Sequence, residues 1–414
     1  MYKKTSEISY VSIWIGRKKC IRHEGRILTC IFRKVDSEGK MDSTDILLTN
    51  CMLLDGTGTD KTANATVAVK NGIIYDIGQA DLQRKYNSQV IIDLKGMTLM
   101  PGIINSHIHI NYADIEYLKK WLYSGVTTVR DMGVLENTTV QTAIEKRRTM
   151  INSTDYPRVI MCGKFITAPG GYGGSSPLNV STCDEVRQTV DELLKMGCDF
   201  IKTVLEDGYD PSTFGLPMLN PELLRTICYE ARIRGVRVAA HVSQAHNLEI
   251  LVNAGINEAA HNVYDPISDT LINKMVNNSV YMVPTMNLYK AFSEKYGALF
   301  YQTCVDNLVR FVKAGGNIAV GTDFIEEELP WFESGMPLYE MQLLKEAGLD
   351  NMQIIMAATK NASEVLGMSH QIGTIEKGKF ADMIAVDGDP LINLECLKDV
   401  ILVVKNGLVI KNDL

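Results

Sequence analysis

The chain has 414 residues, 46% hydrophobic and 22% charged, which is too long for one small domain and suits a globular protein with a large core. Its formal net charge of −7 argues against a broadly basic nucleic-acid surface, and no apolar run reaches the length of a membrane span. Nine cysteines without a CxxC pair, and a start lacking the charge-then-apolar order of a secretion signal, make a cytoplasmic location the expectation.

Residues 1–44 stand apart. Residues 1–40 carry ten Lys/Arg against four Asp/Glu and show poor periodicity, so they read as an extension of uncertain order or as added strands. Residues 45–97 read as short strands and turns, with a hairpin turn of the Asn-Gly type at Lys70-Asn71-Gly72. Residues 373–414 have the same character and a second such turn at Lys405-Asn406-Gly407. The two ends are expected to pair into one small β domain, a β-sandwich, with a different domain inserted between them.

In the middle, residues 98–372, strands alternate with helices. Apolar strands are predicted at 98–104, 126–130, 158–162, 199–204, 236–241, 256–261, 280–284 and 317–322. Helical patterns fall between them, among them 183–196, 221–233, 248–254 and 288–314. Eight strand–helix units point to a (β/α)₈ TIM barrel. An open doubly wound sheet is the alternative, but it usually shows a Gly-rich loop after the first strand, and here that strand ends in His107-Ile108-His109.

In such barrels chemistry sits where the strands end. Those positions hold His107 and His109, Lys202, His241, His261 and Asp323. Residues i and i+2 of a strand share a side, so His107 and His109 can grip one metal ion. Singly, each has a structural reading: Lys202 as a surface lysine, Asp323 as a helix N-cap, His241 and His261 as satisfied core histidines. Four of the chain's seven histidines at one rim favour a metal site over scatter. His246 reads as structural or supporting, and His23 and His370 fall outside the set.

These six residues, in this order, resemble the amidohydrolase superfamily. So do the flanks Met100-Pro101-Gly102-Ile103-Ile104, Gly125-Val126-Thr127-Thr128-Val129-Arg130-Asp131 and Gly373-Thr374-Ile375-Glu376-Lys377-Gly378-Lys379-Phe380-Ala381-Asp382. The resemblance covers residues 45–414 and is nearest the imidazolonepropionase-related branch, which includes Xaa-Pro dipeptidases and N-acyl amino acid hydrolases. It implies two divalent metal ions, expected to be Zn. His107, His109 and Asp323 would hold one and His241 and His261 the other, with Lys202 carboxylated by CO₂ and bridging both through its carbamate. It further implies that Asp323 shuttles a proton while hydroxide attacks an amide of a small-molecule substrate.

Substrate contacts are less specified. Tyr172 in the Gly-rich loop, Ser243, Tyr264 and Arg130 are the candidates. For Arg130, a substrate carboxylate competes with a structural ion pair. Relatives often carry a histidine where Tyr172 stands, a tyrosine where Ser243 stands and a glycine where Asn262 stands, which weakens the dipeptidase assignment but leaves the metal set untouched. The competing readings are a mononuclear deaminase of a nucleobase-like ring and a non-enzymatic relative. A homo-oligomer is compatible with the sequence, which does not specify one.

Overall fold

The computed structural model describes residues 42–135, 138–174, 176–208, 214–325 and 334–414, together with the strands Val11–Ile15, Lys18–His23 and Arg26–Thr29. The chain forms two compact units, Met1–Asp42 and Ser43–Leu414. In the first, the three strands pair antiparallel in chain order as a sheet of their own. The extension therefore contains strands.

The second unit is a mixed α/β fold. Strands from both of its ends form one eight-stranded sheet. Its order is Leu408–Asn412, Val400–Lys405, Met383–Val386, Thr98–Pro101, Asp42–Leu53, Thr62–Lys70 and Ile73–Gly78, with Tyr86–Asp93 also on Asp42–Leu53. Both faces are covered. Val67, Val69, Met383, Ala385, Leu402 and Val404 pack in one apolar cluster, while Ile384, Val386 and Val403 join the main core of the unit. The two Asn-Gly turns lean on each other: a Cβ added to Gly407 would sit 2.6 Å from the Gly72 Cα, so only glycine permits the approach.

The strand expected at 98–104 divides. Thr98–Pro101 pairs antiparallel with Met383–Val386, and Ile103–His109 pairs parallel with Val126–Asp131. Proline lacks the N–H that a continuing ladder needs, and the chain crosses between sheets at Pro101-Gly102.

The remaining strands are all parallel. Ile103–His109 is flanked by Val126–Asp131, which pairs Arg158–Met161, and by Phe324–Ile325. A second series runs through Ile166–Thr167, Ile201–Val204, Val238–His241, Glu258–Ala259 and Tyr281–Met282. The Asp199 N–H donates to the Met161 carbonyl at 2.8 Å, joining the two series. Met282 bridges Ile318 in parallel, and the Ser106 N–H donates to the Val320 carbonyl at 2.8 Å, so the bonding returns to the strand where it began. With all strands parallel, their C-terminal ends lie on one side.

Helices lie between these strands. Cys183–Met196 begins at a reciprocal Thr182–Glu185 capping box, and Pro221–Ile233 begins at Asn220 with proline in its first turn. The helix expected at 288–314 is two, Met286–Tyr296 and Ala298–Lys313, parted at Gly297 with φ 93°. No helix among the described residues is long and apolar enough to cross a membrane.

Candidate metal centre

Strict alternation would send His107 and His109 outward with Ile103. The pairing shifts register, with Val129 opposite Asn105 but Asp131 opposite Ile108. That irregularity reverses the facing of the strand's end, as bulges beside functional sites do. Ile104 accordingly joins the cluster enclosed by the parallel strands, while Ile103 and Ile108 pack outward against the helices.

His107, His109 and Asp323 offer donor atoms that all lie within 4.8 Å of one another. Asp323 Oδ1 is 2.9 Å from His107 Nε2 and 3.4 Å from His109 Nε2. Asp323 reaches this place with φ +54°, its N–H donating to the His107 carbonyl at 2.8 Å. The preceding turn is tight: a Cβ on Gly321 would lie 2.4 Å from Val283 Cγ1 and 2.7 Å from His107 Cβ.

The other ligand candidates close around this trio. The His107 ring is 4.7 Å from that of His261, which is 4.6 Å from that of His241, so the imidazoles form one continuous group. Lys202 is buried, and its charge bears on His107, His241 and His261. The structure thus brings the four imidazoles and Asp323 together, with Lys202 buried on Ile201–Val204, the strand that pairs Val238–His241.

Electrostatics separate the roles. Burial pushes His107 down to about 3 and lowers His241 and His261, so these rings are neutral with a lone pair available. Burial also opposes charge on His109, but its contact with Asp323 outweighs this and raises it. Burial works to raise Asp323, but the facing imidazoles hold it well below the usual carboxylate range. Burial brings Lys202 down to about 8, against the pull of Glu258 and Asp323.

The ring partners select the tautomers. His109 Nδ1 is 2.8 Å from the Gly133 carbonyl, and His261 Nδ1 is 2.9 Å from Thr285 Oγ1. The Gly133 carbonyl can only accept, so His109 Nδ1 carries the proton and its Nε2 keeps a lone pair; the Thr285 hydroxyl anchors His261 through Nδ1. Neither His107 nitrogen makes a hydrogen bond among the described residues, although Nε2 stands 2.9 Å from Asp323. Orphaned buried ring nitrogens beside a carboxylate and a second imidazole fit a divalent ion, and His/Asp donors suit Zn, Mn or Fe.

The pocket candidates divide. Tyr172 stacks on His241 with ring centroids 4.4 Å apart. Tyr264 stacks on Phe300, and its N–H donates to the Ser243 carbonyl at 3.0 Å. Ser243 is buried and its hydroxyl donates to Glu206, which occupies it. For Arg130 the ion-pair reading replaces the substrate one. Its guanidinium grips Glu258 at 2.5 and 2.7 Å and donates to the Ser106 carbonyl at 2.6 Å, and the side chain is buried. His246 is exposed on Ala245–Ala254, and His370 is exposed beside Gln371.

Glu206 was not among the expected site residues. It is buried, with Oε2 3.7 Å from His241 Nε2. It stands four residues after Lys202, on the same side of an extended chain, and that spacing was the available signal.

A family model described as amidohydrolase family matches residues 98–410. Ochratoxinase of Aspergillus niger is 24% identical, across 84% of this chain and 82% of that protein. Imidazolonepropionase of Clostridium tetani is 24% identical, across 78% of this chain and 84% of that protein. A crystal structure of a Xaa-Pro dipeptidase with methionine in its active site superposes with TM-score 0.76 at 24% identity, covering 89% of this chain and all of that one.

Proposed function

The chain belongs to the amidohydrolase family and is a hydrolytic enzyme; from that premise we propose that it cleaves an amide C–N bond of a dipeptide or N-acyl amino acid at a two-metal site. The reading includes a closed (β/α)₈ barrel beside a β-sandwich made from residues 45–97 and 373–414. The return of the parallel hydrogen bonding to its first strand supports the barrel. The crossing at Pro101-Gly102 supports a barrel domain that starts at Ile103 rather than at residue 98.

The observation that carries the function is the gathering of four imidazoles and Asp323 at one place, beside the strand that bears the buried Lys202. His107, His109 and Asp323 would hold one ion and His241 and His261 the other, Zn being the expected metal. When bound, such a pair acidifies water and polarises the scissile carbonyl.

Lys202 would supply the bridge. At about 8, part of it is neutral near physiological pH, and the neutral amine is the form that attacks CO₂. The amine lone pair would form an N–C bond as one C=O π pair of CO₂ moves onto oxygen, nitrogen would lose a proton, and a repelling ammonium would be replaced by an anion with two oxygens. Asp323 accepts the proton of the attacking water and delivers it to the leaving amine. Tyr172, packed on His241, flanks the substrate. The enzyme would work on small molecules in the cytoplasm.

One observation favours the mononuclear deaminase as a second reading: a buried carboxylate, Glu206, stands beside His241. Metal content per chain, by elemental mass spectrometry on protein purified without chelator, separates the two. About two ions, with turnover of N-acyl amino acids or Xaa-Pro dipeptides, is the expected result. About one ion, with turnover of a nucleobase-like ring instead, would replace it with the deaminase. No metal after reconstitution with bicarbonate would reject both.

A further inference from the structure

Three of the proposed ligands are tied to one carboxylate remote from them in sequence. Glu340, buried on the helix Leu338–Glu346, reaches across to the start of Met286–Tyr296. Its Oε1 accepts the Met286 N–H at 2.9 Å and its Oε2 the Asn287 N–H at 2.8 Å. Both donors belong to the first turn, where a helix has no carbonyl of its own to offer.

The residue before that turn is strained. Thr285 has φ 45° and ψ 51°, a left-handed conformation that β-branched side chains avoid. Such a backbone persists only where its surroundings over-determine it. In this conformation Thr285 Oγ1 lies 2.9 Å from His261 Nδ1. A second branch leaves the same turn. Asn287 Nδ2 donates to the Thr322 carbonyl at 2.8 Å, beside Asp323. The Thr322 hydroxyl accepts from Asn105 Nδ2 at 2.9 Å, and Asn105 Oδ1 accepts the His107 N–H at 3.2 Å.

We propose that Glu340 is a positioning residue of the metal centre. By pinning the first turn of the helix it holds Thr285 left-handed and His261 with Nε2 toward the metal, and through Asn287 it steadies Thr322 and Asp323. The inference rests on the metal site of the proposed function. It goes beyond it by assigning the site's geometry to a residue that touches neither metal nor substrate.

The test compares wild type, Glu340→Gln, Thr285→Val and Thr285→Ser, each metal-stripped and reloaded with cobalt(II) and bicarbonate. The readouts are the visible absorption spectrum of the bound cobalt, its rate of loss to a chelator, and helicity by circular dichroism. Glu340→Gln keeps the shape but turns an NH₂ against a backbone donor, and Thr285→Val keeps the branch but loses the hydroxyl. Both are expected to alter the spectrum and weaken metal retention by roughly 10- to 100-fold at unchanged helicity. Thr285→Ser, which restores the hydroxyl, is expected to behave as wild type.

A Glu340→Gln protein that melts earlier but keeps the wild-type spectrum and chelator kinetics would make Glu340 a helix cap and overturn the proposal. Were that variant not to fold, a wild-type spectrum in Thr285→Val would overturn it independently. Wild type that takes up no cobalt would reject the metal reading itself, a different failure.

Discussion

The eight-stranded sheet and the ends of the parallel strands both bend residues other than glycine into the left-handed region, and they use different residues to do so. The sheet region does it at Asn50, Asn64, Asn71 and Asn406, and once at Lys95. Asparagine tolerates this conformation, and Asn71 and Asn406 sit in Asn-Gly hairpins that require it. Among the parallel strands the excursions fall at Ser279, Thr285 and Asp323. Thr285 contacts a proposed ligand and Asp323 is one. One region spends its excursions cheaply on turns, and the other accepts strain where side chains must be aimed. Substitutions at the metal centre should therefore change rate more than stability, and substitutions in the sheet the reverse.

The sharpest break of that contrast is at Asp323. Asp323→Asn keeps an oxygen donor but removes the proposed proton acceptor. Turnover should fall by roughly 100- to 10,000-fold with metal content and melting temperature retained. Near-normal turnover would remove the proton shuttle. Lys202→Ala should lose the bridged pair, with metal content and activity recovering when a short carboxylic acid is supplied. Two ions held by the unsupplemented variant would refute the carbamate.

The same two regions differ in how legible they were. The turns at Asn71-Gly72 and Asn406-Gly407 are local chemistry, readable from four residues, and so are the caps that begin Cys183–Met196 and Pro221–Ile233. That His107, His109 and His241 close apolar strands was readable for the same reason, whereas Lys202 lies inside Ile201–Val204 and Asp323 just ahead of Phe324–Ile325. The aim of the first two was not, because it depends on a register shift set by the neighbouring strand. Nor could sequence supply the partner of Arg130, which is Glu258, 128 residues away, or the Glu340 bonds to residues 54 and 53 positions earlier. Buried polar partners are chosen by the folded neighbourhood, and no local periodicity records them.

Arg130 tests whether burial near the site means function. Arg130→Met leaves Glu258 charged and unpaired in the interior, which costs about 3–5 kcal/mol of stability. The expected result is a lower denaturant midpoint with KM unchanged in the folded fraction. A raised KM at unchanged stability would return Arg130 to the substrate site.

Glu340 gives the comparison a pH axis. Burial raises its carboxyl from 4.5 to about 7, so the folded state holds this proton more tightly than the unfolded chain. Its contribution is unpenalised below about 4.5 and becomes unfavourable as pH rises through 7, by on the order of 3 kcal/mol. Glu340→Gln should flatten that fall in the stability of metal-free protein between the two values. An unchanged slope would show that the carboxyl titrates normally.

The smallest expected effect is the one that completes the contrast. Asn71 has φ 58°, is exposed, and is followed by Gly72 at φ 83°, the pair of positive angles that closes this hairpin. Asn71→Ala puts a residue with no local hydrogen bonding into the left-handed region, at a cost of about 1–2 kcal/mol. Because Gly72 packs on the Asn406-Gly407 turn, part of the loss should reach strands at the far end of the chain. Hydrogen exchange would then quicken in both Thr62–Gly78 and Val400–Asn412 while kcat/KM stays at the wild-type value. Faster exchange confined to Thr62–Gly78 would mean that the two turns touch without supporting each other. A loss of kcat/KM would mean that the metal centre depends on the sheet, and that the two regions are not separate in function.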